Sequence, residues 1–481
     1  MTKFGIGQAV KRTEDQRLLT GTGKYVGDVN LPGQAHAYVL RSPEAHADIV
    51  RIDSSAAKKM PGVVAVLTGD DFAADGVPDM PCLLSVNSKD GKPNLVPSYP
   101  AVAKGRVRHV GQPVALVVAE TLAQARDAAE LIEVDYRGLP AAADIAAALR
   151  PGAPQIWESG RNNEVFYWTM GDGAKTKAAF AGAHRVVRLD VVNNRLAPAS
   201  MEARSAIGEY ARATGKFTLH CSCQGGSGIR DELANKIFKV PGTKVRVVTP
   251  DVGGGFGMKI FMYPEYVGVL FAARAIGRPV KWAGDRSEAF LADIHGRDHL
   301  THAELALDKD GKFLAAHFQT RANLGAYLSG AAPYIPTYAG SGMLAGVYTT
   351  PAVFVEVTGV YTNTAPVDAY RGAGRPEANY VGERLIDAAA RELGISPAEL
   401  RRRNFIPPAA MPYTTALGLV YDSGEFQRNL DDAVKAADWA GFAARQAESA
   451  KRGKLRGRSE EHTSELQSLA YLVCRLLLEK K

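Results

Sequence analysis

The stretch VALVVAETLAQARDAAELIEVDY, Val114 to Tyr136, changes its hydrophobic period twice and so declares three elements in succession. Val114 to Val118 is an unbroken apolar run, the mark of a buried strand. From Thr121 to Leu131, with Leu122, Ala125, Ala129 and Ile132 on one stripe, the spacing predicts a helix. Ile132 to Tyr136 reads as a second strand, ending at Gly138-Leu139-Pro140. This strand–helix–strand unit closes a first α/β domain near residue 145, and the Ala-rich AAADIAAALRPGAP that follows reads as a connector. Upstream, Ala35 to Leu40 and Val63 to Leu67 are strands bounded by Gly and Pro. RTEDQRLLTGTGKYVGD, Arg12 to Asp28, reads as an extended, turn-laden arm.

Downstream the alternation is less regular. Val186 to Val192, Phe217 to Cys223 and Val245 to Val248 read as strands, with a short helix from Asp231 to Phe238 between the last two. Glu265 to Ile276 is a buried helix ended by Gly277 and Pro279. Ala303 to Leu307 and Leu314 to Thr320 flank Asp308-Lys309-Asp310-Gly311, a strong hairpin signal. Val381 to Leu393 and Pro397 to Arg402 read as helices, with Ser396 as an N-cap. Strands and helices without strict βαβ order predict an α+β fold.

Composition agrees with this reading and narrows the function. The chain has 481 residues, 46% apolar and 23% charged, enough for about three packed domains. Its net charge of +7 is spread along the chain, so no basic face for nucleic acid is expected. Four Cys and no CxxC leave no zinc or iron–sulfur signature here. No leader-like apolar segment and no run near eighteen apolar residues occurs, so a cytoplasmic protein without a membrane span is expected.

The last residues read differently. RSEEHTSELQS, Arg458 to Ser468, back-translates over eleven consecutive codons to a common sequencing adapter, and the closing LVCRLLLEKK matches a later part of it. Residues 458–481, Cys474 included, are therefore expected to be an artefact tail, with the natural protein continuing past Gly457. The helical spacing of Leu469, Leu472 and Leu476 is the weaker reading.

Three motifs could carry chemistry. DVGGGFGMK, Asp251 to Lys259, follows a strand and lets a backbone approach something closely. It matches neither Walker A nor GxGxxG spacing. A tight packing turn and a nest of N–H groups for an anion both remain open. AYRGAGRPE, Ala369 to Glu377, sets Arg371 and Arg375 around two Gly; the guanidiniums either face an anion or are solvated or paired with Glu377 and Glu383. CSCQGG, Cys221 to Gly226, offers Gln224 as a neutral donor at a strand end, with Cys221 and Cys223 read as small buried hydrophobes. His295, His299 and His302 in HGRDHLTH lack metal-binding spacing, and no nucleophile elbow or Ser/His/Asp signature occurs.

Taken in order, Gln224-Gly225-Gly226, GGGFGMK and AYRGAGRPE resemble the large, molybdopterin-binding subunit of the xanthine dehydrogenase/aldehyde oxidase family, in its aerobic carbon monoxide dehydrogenase-like form without the copper Cys. HVGQPVALVVAET, VKWAGDRSEAF and ELGISPAELRRRNFI extend the likeness from Gly5 to about Gly457. The resemblance implies an α/β hammerhead domain over 1–145, a first molybdopterin-binding domain over 146–410, and the start of a second over 411–457. It implies a catalytic role for Gln224 and Arg371, and cofactor contacts from Gln224, Gly255, Phe256, Gly257, Arg371 and Gly372, with no protein side chain on the metal. The cofactor would be molybdenum-molybdopterin in its cytosine dinucleotide form. Iron–sulfur clusters would sit on a small partner subunit and FAD on a medium one, in a dimer of heterotrimers. The implied reaction is hydroxylation of an aldehyde or N-heterocycle with oxygen from water. Copper-dependent CO oxidation is not expected, because Gly372 stands where that chemistry needs a thiolate. The family's general-base Glu has no counterpart in this sequence. The fragment alone is expected to be inactive. A non-catalytic or assembly protein that keeps the fold is the alternative.

Overall fold

The computed structural model describes residues 11–159 and 162–457. The expectations for 458–481 and for the first ten residues lie outside the described residues. The first region supplies six strands: β1 (Ala35–Arg41), β2 (Ala47–Asp53), β3 (Val63–Thr68), β4 (Arg106–Val107), β5 (Pro113–Ala119) and β6 (Glu133–Gly138). All seven residues of β5 are buried, as its apolar run requires. The helix after it, Leu122–Glu130, is held at its start by a capping box in which Thr121 accepts from the Gln124 N–H.

The second region adds β7 (Glu164–Gly171), β8 (Arg185–Asn193), β9 (Ser205–Ala211), β10 (Lys216–Cys221), β11 (Val245–Val248) and β12 (Val280–Ala283). β13 (His299–Leu307), β14 (Phe313–Gly325) and β15 (Val353–Tyr361) complete it. A five-stranded sheet, β7-β15-β14-β13-β8, packs against the long helix Arg375–Leu393. A seven-stranded sheet runs β11-β10-β9-β12-β1-β5-β3, and the buried helix Pro264–Ile276 covers it. This sheet crosses residue 145. β1 pairs antiparallel with β5 and parallel with β12, Ala35 opposite Val280. One apolar core therefore joins Ala37, Leu116 and Val118 to Ala206, Leu219 and Leu270.

Several local expectations are corrected. The arm is not wholly extended, because Asp15–Leu19 forms a short helix. The segment after residue 140 is no free connector. Asp144 caps a turn at Ile145–Ala148, whose Ile145 and Ala148 pack under the five-stranded sheet. The helix expected from Asp231 starts at Gly226 and widens over Leu233–Ile237, where the Phe238 N–H donates to the Leu233 carbonyl. The helix expected from Val381 starts at Arg375, since Pro376 fits a first turn. Ser396 is the N-cap residue of the helix Pro397–Asn404 but makes no side-chain cap bond.

Candidate active site

Parallel pairing of β10 with β11 sets their C-terminal ends side by side, so the segment at Gln224 and the glycine loop leave the same edge of the sheet. The backbone N–H of Gln224 donates to the Lys259 carbonyl at 3.0 Å. Its side-chain Oε1 accepts the Gly257 N–H at 2.7 Å. A Cβ on Gly255 would lie 2.5 Å from the Gln224 Cδ, so only glycine leaves room for that amide. Phe256 and Gly257 both have positive φ, +53° and +91°, and a Cβ on Gly257 would meet the Ala369 carbonyl at 2.8 Å.

That close approach brings in the third loop. The Arg371 N–H donates to the Phe256 carbonyl at 2.9 Å. Gly372, Ala373 and Gly374 all have positive φ, which turns the chain sharply into the helix at Arg375. The Arg371 guanidinium is exposed and has no hydrogen bond or ion pair among the described residues. The pairing with Glu377 and Glu383 left open by the sequence does not occur. Glu377 is held by Arg297, and Glu383 by Arg401 and Tyr348. Arg375 turns back to the Gly372 carbonyl instead.

Two ion pairs brace the glycine loop. Glu202 accepts the Gly253 N–H at 2.8 Å and the fully buried Lys259 ammonium at 2.9 Å. At the loop's start, Arg17 of the arm forks onto the Asp251 carboxylate, which also accepts the Lys24 N–H at 2.7 Å. The hydrogen bond from Arg17 leads the contributions that hold the Asp251 carboxyl at about 2. Cys221 and Cys223 are buried, and the Cys223 thiol lies 3.0 Å from the Thr249 hydroxyl. A hydrogen bond from Cys221 brings Cys223 down to about 6. The histidines disperse: His295 contacts Arg195, His302 pairs with Asp190 and His299 is buried in β13. Among the described residues no group of three His, Cys, Asp or Glu could hold a metal ion.

The structure thus brings together Gln224, Gly255, Phe256, Gly257, Arg371 and Gly372. Their donor set suits an anionic, oxygen-rich group. With its Oε1 committed to Gly257, Gln224 has its NH₂ to offer; Arg371 offers a free guanidinium, and no carboxylate bonds either. Glu202, Lys259 and Arg297 were not singled out from the sequence. Lys259 stood within the quoted glycine motif, and Arg297 stood between the histidines that drew attention in HGRDHLTH. Glu202 had no local signal.

Residues 20–140 match the aldehyde oxidase and xanthine dehydrogenase a/b hammerhead domain, and residues 156–405 match the molybdopterin cofactor-binding domain. The chain belongs to the aldehyde oxidase/xanthine dehydrogenase family and carries its molybdopterin cofactor-binding domain. It is 36% identical to the carbon monoxide dehydrogenase large chain of Hydrogenophaga pseudoflava, over 90% of this chain and 54% of that one. It is 33% identical to the nicotine 6-hydroxylase large subunit of Paenarthrobacter nicotinovorans, over 95% and 55%. Quinoline 2-oxidoreductase from Pseudomonas putida 86 superposes with a TM-score of 0.86 at 37% identity, covering 93% of this chain and 56% of that structure. The chain spans about half the length of the curated relatives it matches. No helix among the described residues is long and apolar enough to cross a membrane.

Proposed function

We propose that this chain is the N-terminal portion of the catalytic large subunit of a molybdenum hydroxylase that oxidises an aldehyde or an N-heterocycle. The observation that carries it is the meeting of Gln224, the Gly255-Phe256-Gly257 turn and Arg371 in one cluster of donors. Bound there, molybdenum-molybdopterin supplies two-electron oxidation with an oxygen taken from water. The chain's own part is to bind and orient. The Gln224 NH₂ donates to a cofactor oxygen, and the glycine turn keeps the backbone thin beside the cofactor. The Arg371 guanidinium would offset negative charge that develops on the reacting group, and Gly372, where a Cβ would meet the Pro376 ring at 2.4 Å, lets the loop turn into the helix that follows. The general base is supplied by sequence outside this chain.

The same proposal includes the cytosine dinucleotide form of the cofactor and a cytoplasmic location. It also includes an iron–sulfur small subunit and an FAD-binding medium subunit in a dimer of heterotrimers. The division at residues 145 and 410, with 411–457 opening a second cofactor domain, belongs to it too; the family matches over 20–140 and 156–405 support its first two spans. Similarity to proteins named for nicotine and quinoline favours an N-heterocycle, and Gly372, lacking a thiolate, disfavours copper-dependent CO oxidation. The test is metal analysis of the full-length protein matured with its partners. Near-stoichiometric molybdenum is expected, with Gln224→Ala lowering kcat by about 10²-fold, in the range for loss of a transition-state donor. Well-folded complex without molybdenum refutes the proposal.

A further inference from the structure

Between His295 and His299, Arg297 and Asp298 both have positive φ, +65° and +68°, a costly conformation for residues with side chains. The bend turns the Arg297 side chain inward, where only 11% of it is exposed and its guanidinium lies over the Tyr370 ring, 4.8 Å from the centroid. One end of the guanidinium donates to the Tyr370 carbonyl at 2.9 Å and the other to the Arg371 carbonyl at 2.8 Å. The buried Glu377 carboxylate, 3.1 Å away, balances its charge.

The planarity of the peptide bond gives these contacts direction. Because the Tyr370 carbonyl faces Arg297, the N–H of the same peptide unit, on Arg371, faces the opposite way, and there it meets the Phe256 carbonyl at 2.9 Å. The Phe256 carbonyl in turn sends the Gly257 N–H away from it, onto the Gln224 Oε1 at 2.7 Å. Four planar groups are thereby linked head to tail: guanidinium, peptide 370–371, peptide 256–257 and the Gln224 amide. Each bond polarises the next. The donor on Gly257 also decides which end of the Gln224 amide is oxygen, a choice that electron density alone often leaves open.

We infer that Arg297 is a positioning residue for Gln224: through two peptide units it fixes the amide so that NH₂, not oxygen, is presented to the ligand. The inference rests on the proposed role of Gln224. Without Arg297 the 370–371 peptide loses its main side-chain restraint, the Gly257 N–H is no longer aimed at the Gln224 Oε1, and the amide is no longer held with its NH₂ toward the ligand.

The experiment uses the full-length enzyme with its partner subunits, as wild type, Arg297→Met and Arg297→Lys. For R297M, kcat should fall by about 100-fold, the cost of a small misplacement at a reacting centre, with KM within about twofold. Molybdenum content should be unchanged, and the EPR spectrum of the metal centre should shift. R297K, whose ammonium keeps the charge beside Glu377 but lacks the rigid planar fork that holds both carbonyls in fixed directions, should recover about tenfold of the loss. A crystal structure of R297M should show the Gly257–Gln224 contact broken or the amide reversed. Wild-type kcat and spectrum in molybdenum-loaded R297M overturn the inference, as does a crystal structure that keeps the contact. If R297M does not accumulate as folded protein, R297K carries the same outcomes. A wild-type enzyme without molybdenum refutes the proposed function instead, and the crystal structure still decides whether Arg297 sets the amide.

Discussion

Gly255 separates stability from function more cleanly than any other residue of the site. The nearest atoms a Cβ there would meet are Cγ, Cδ and Oε1 of the flexible Gln224 side chain, which can swing aside. Gly255→Ala should therefore leave the melting temperature within about 2 °C while lowering turnover, because the displaced amide is the proposed donor. Gly257→Ala differs. Its φ is +91° and its Cβ would press on the Ala369 backbone, so calorimetry should register a clear loss of stability. A second residue-scale expectation concerns Glu232, a half-buried carboxyl that burial pushes up to about 7 from 4.5. A carboxyl with a raised folded value contributes its full stability below about 4.5 and loses it as pH rises through about 7. Glu232→Gln never ionises. It should match wild type at pH 4.5 and melt roughly 2–4 °C higher at pH 8.5, and equal melting at both values would contradict the assignment.

At the scale of elements, the paired cores depend on a buried ion cluster as much as on apolar packing. Arg204, 1% exposed, bonds Glu265 at 2.8 Å and Asp293 at 2.5 Å and stacks on Tyr263, while Arg41 at the end of β1 takes the other oxygen of Glu265. Burial pushes the Glu265 carboxyl up, but the two guanidiniums outweigh it and hold it at about 2. Arg204→Met should cost about 3–5 kcal/mol in chemical denaturation, because it leaves buried carboxylates short of a partner. Elements with a strong local period were legible in the sequence: β5, the helix after it, the hairpin at Asp308–Gly311 and the helix from Pro264. β2 was not found, since ADIVRID buries little beyond Ala47. The three site motifs stood out as candidate chemistry, and their meeting was implied by the family resemblance alone, since no local pattern encodes it. It depends on the parallel β10–β11 pair and on positive φ values at Phe256 and Ala373, where residue type gives little warning. Arg204 and Glu202 act across gaps of dozens of residues, which no local pattern encodes.

For the whole molecule, the site face is open and partly apolar. Met201 is 91% exposed, and Phe256 and Ile260 on the glycine loop are 39% and 44% exposed. Residues 1–457 expressed alone should self-associate in size exclusion at micromolar concentration, and a monodisperse monomer would contradict this. The strand–helix–strand unit near the N-terminus does not escape that dependence. Residues 1–145 expressed alone should lack a cooperative melt, because β1 loses β12 and the core loses the helix from Pro264. The position of β1 also has a consequence in time. Its antiparallel neighbour β5 leaves the ribosome soon after it, but Val280, the partner of Ala35, is synthesised 245 residues later. At about 5–20 residues per second, that edge of β1 waits roughly 10–50 s for its mate. During that interval a half-made sheet offers an unpaired edge to other nascent chains, so yield in the cell should depend on chaperone supply even where the finished protein is stable.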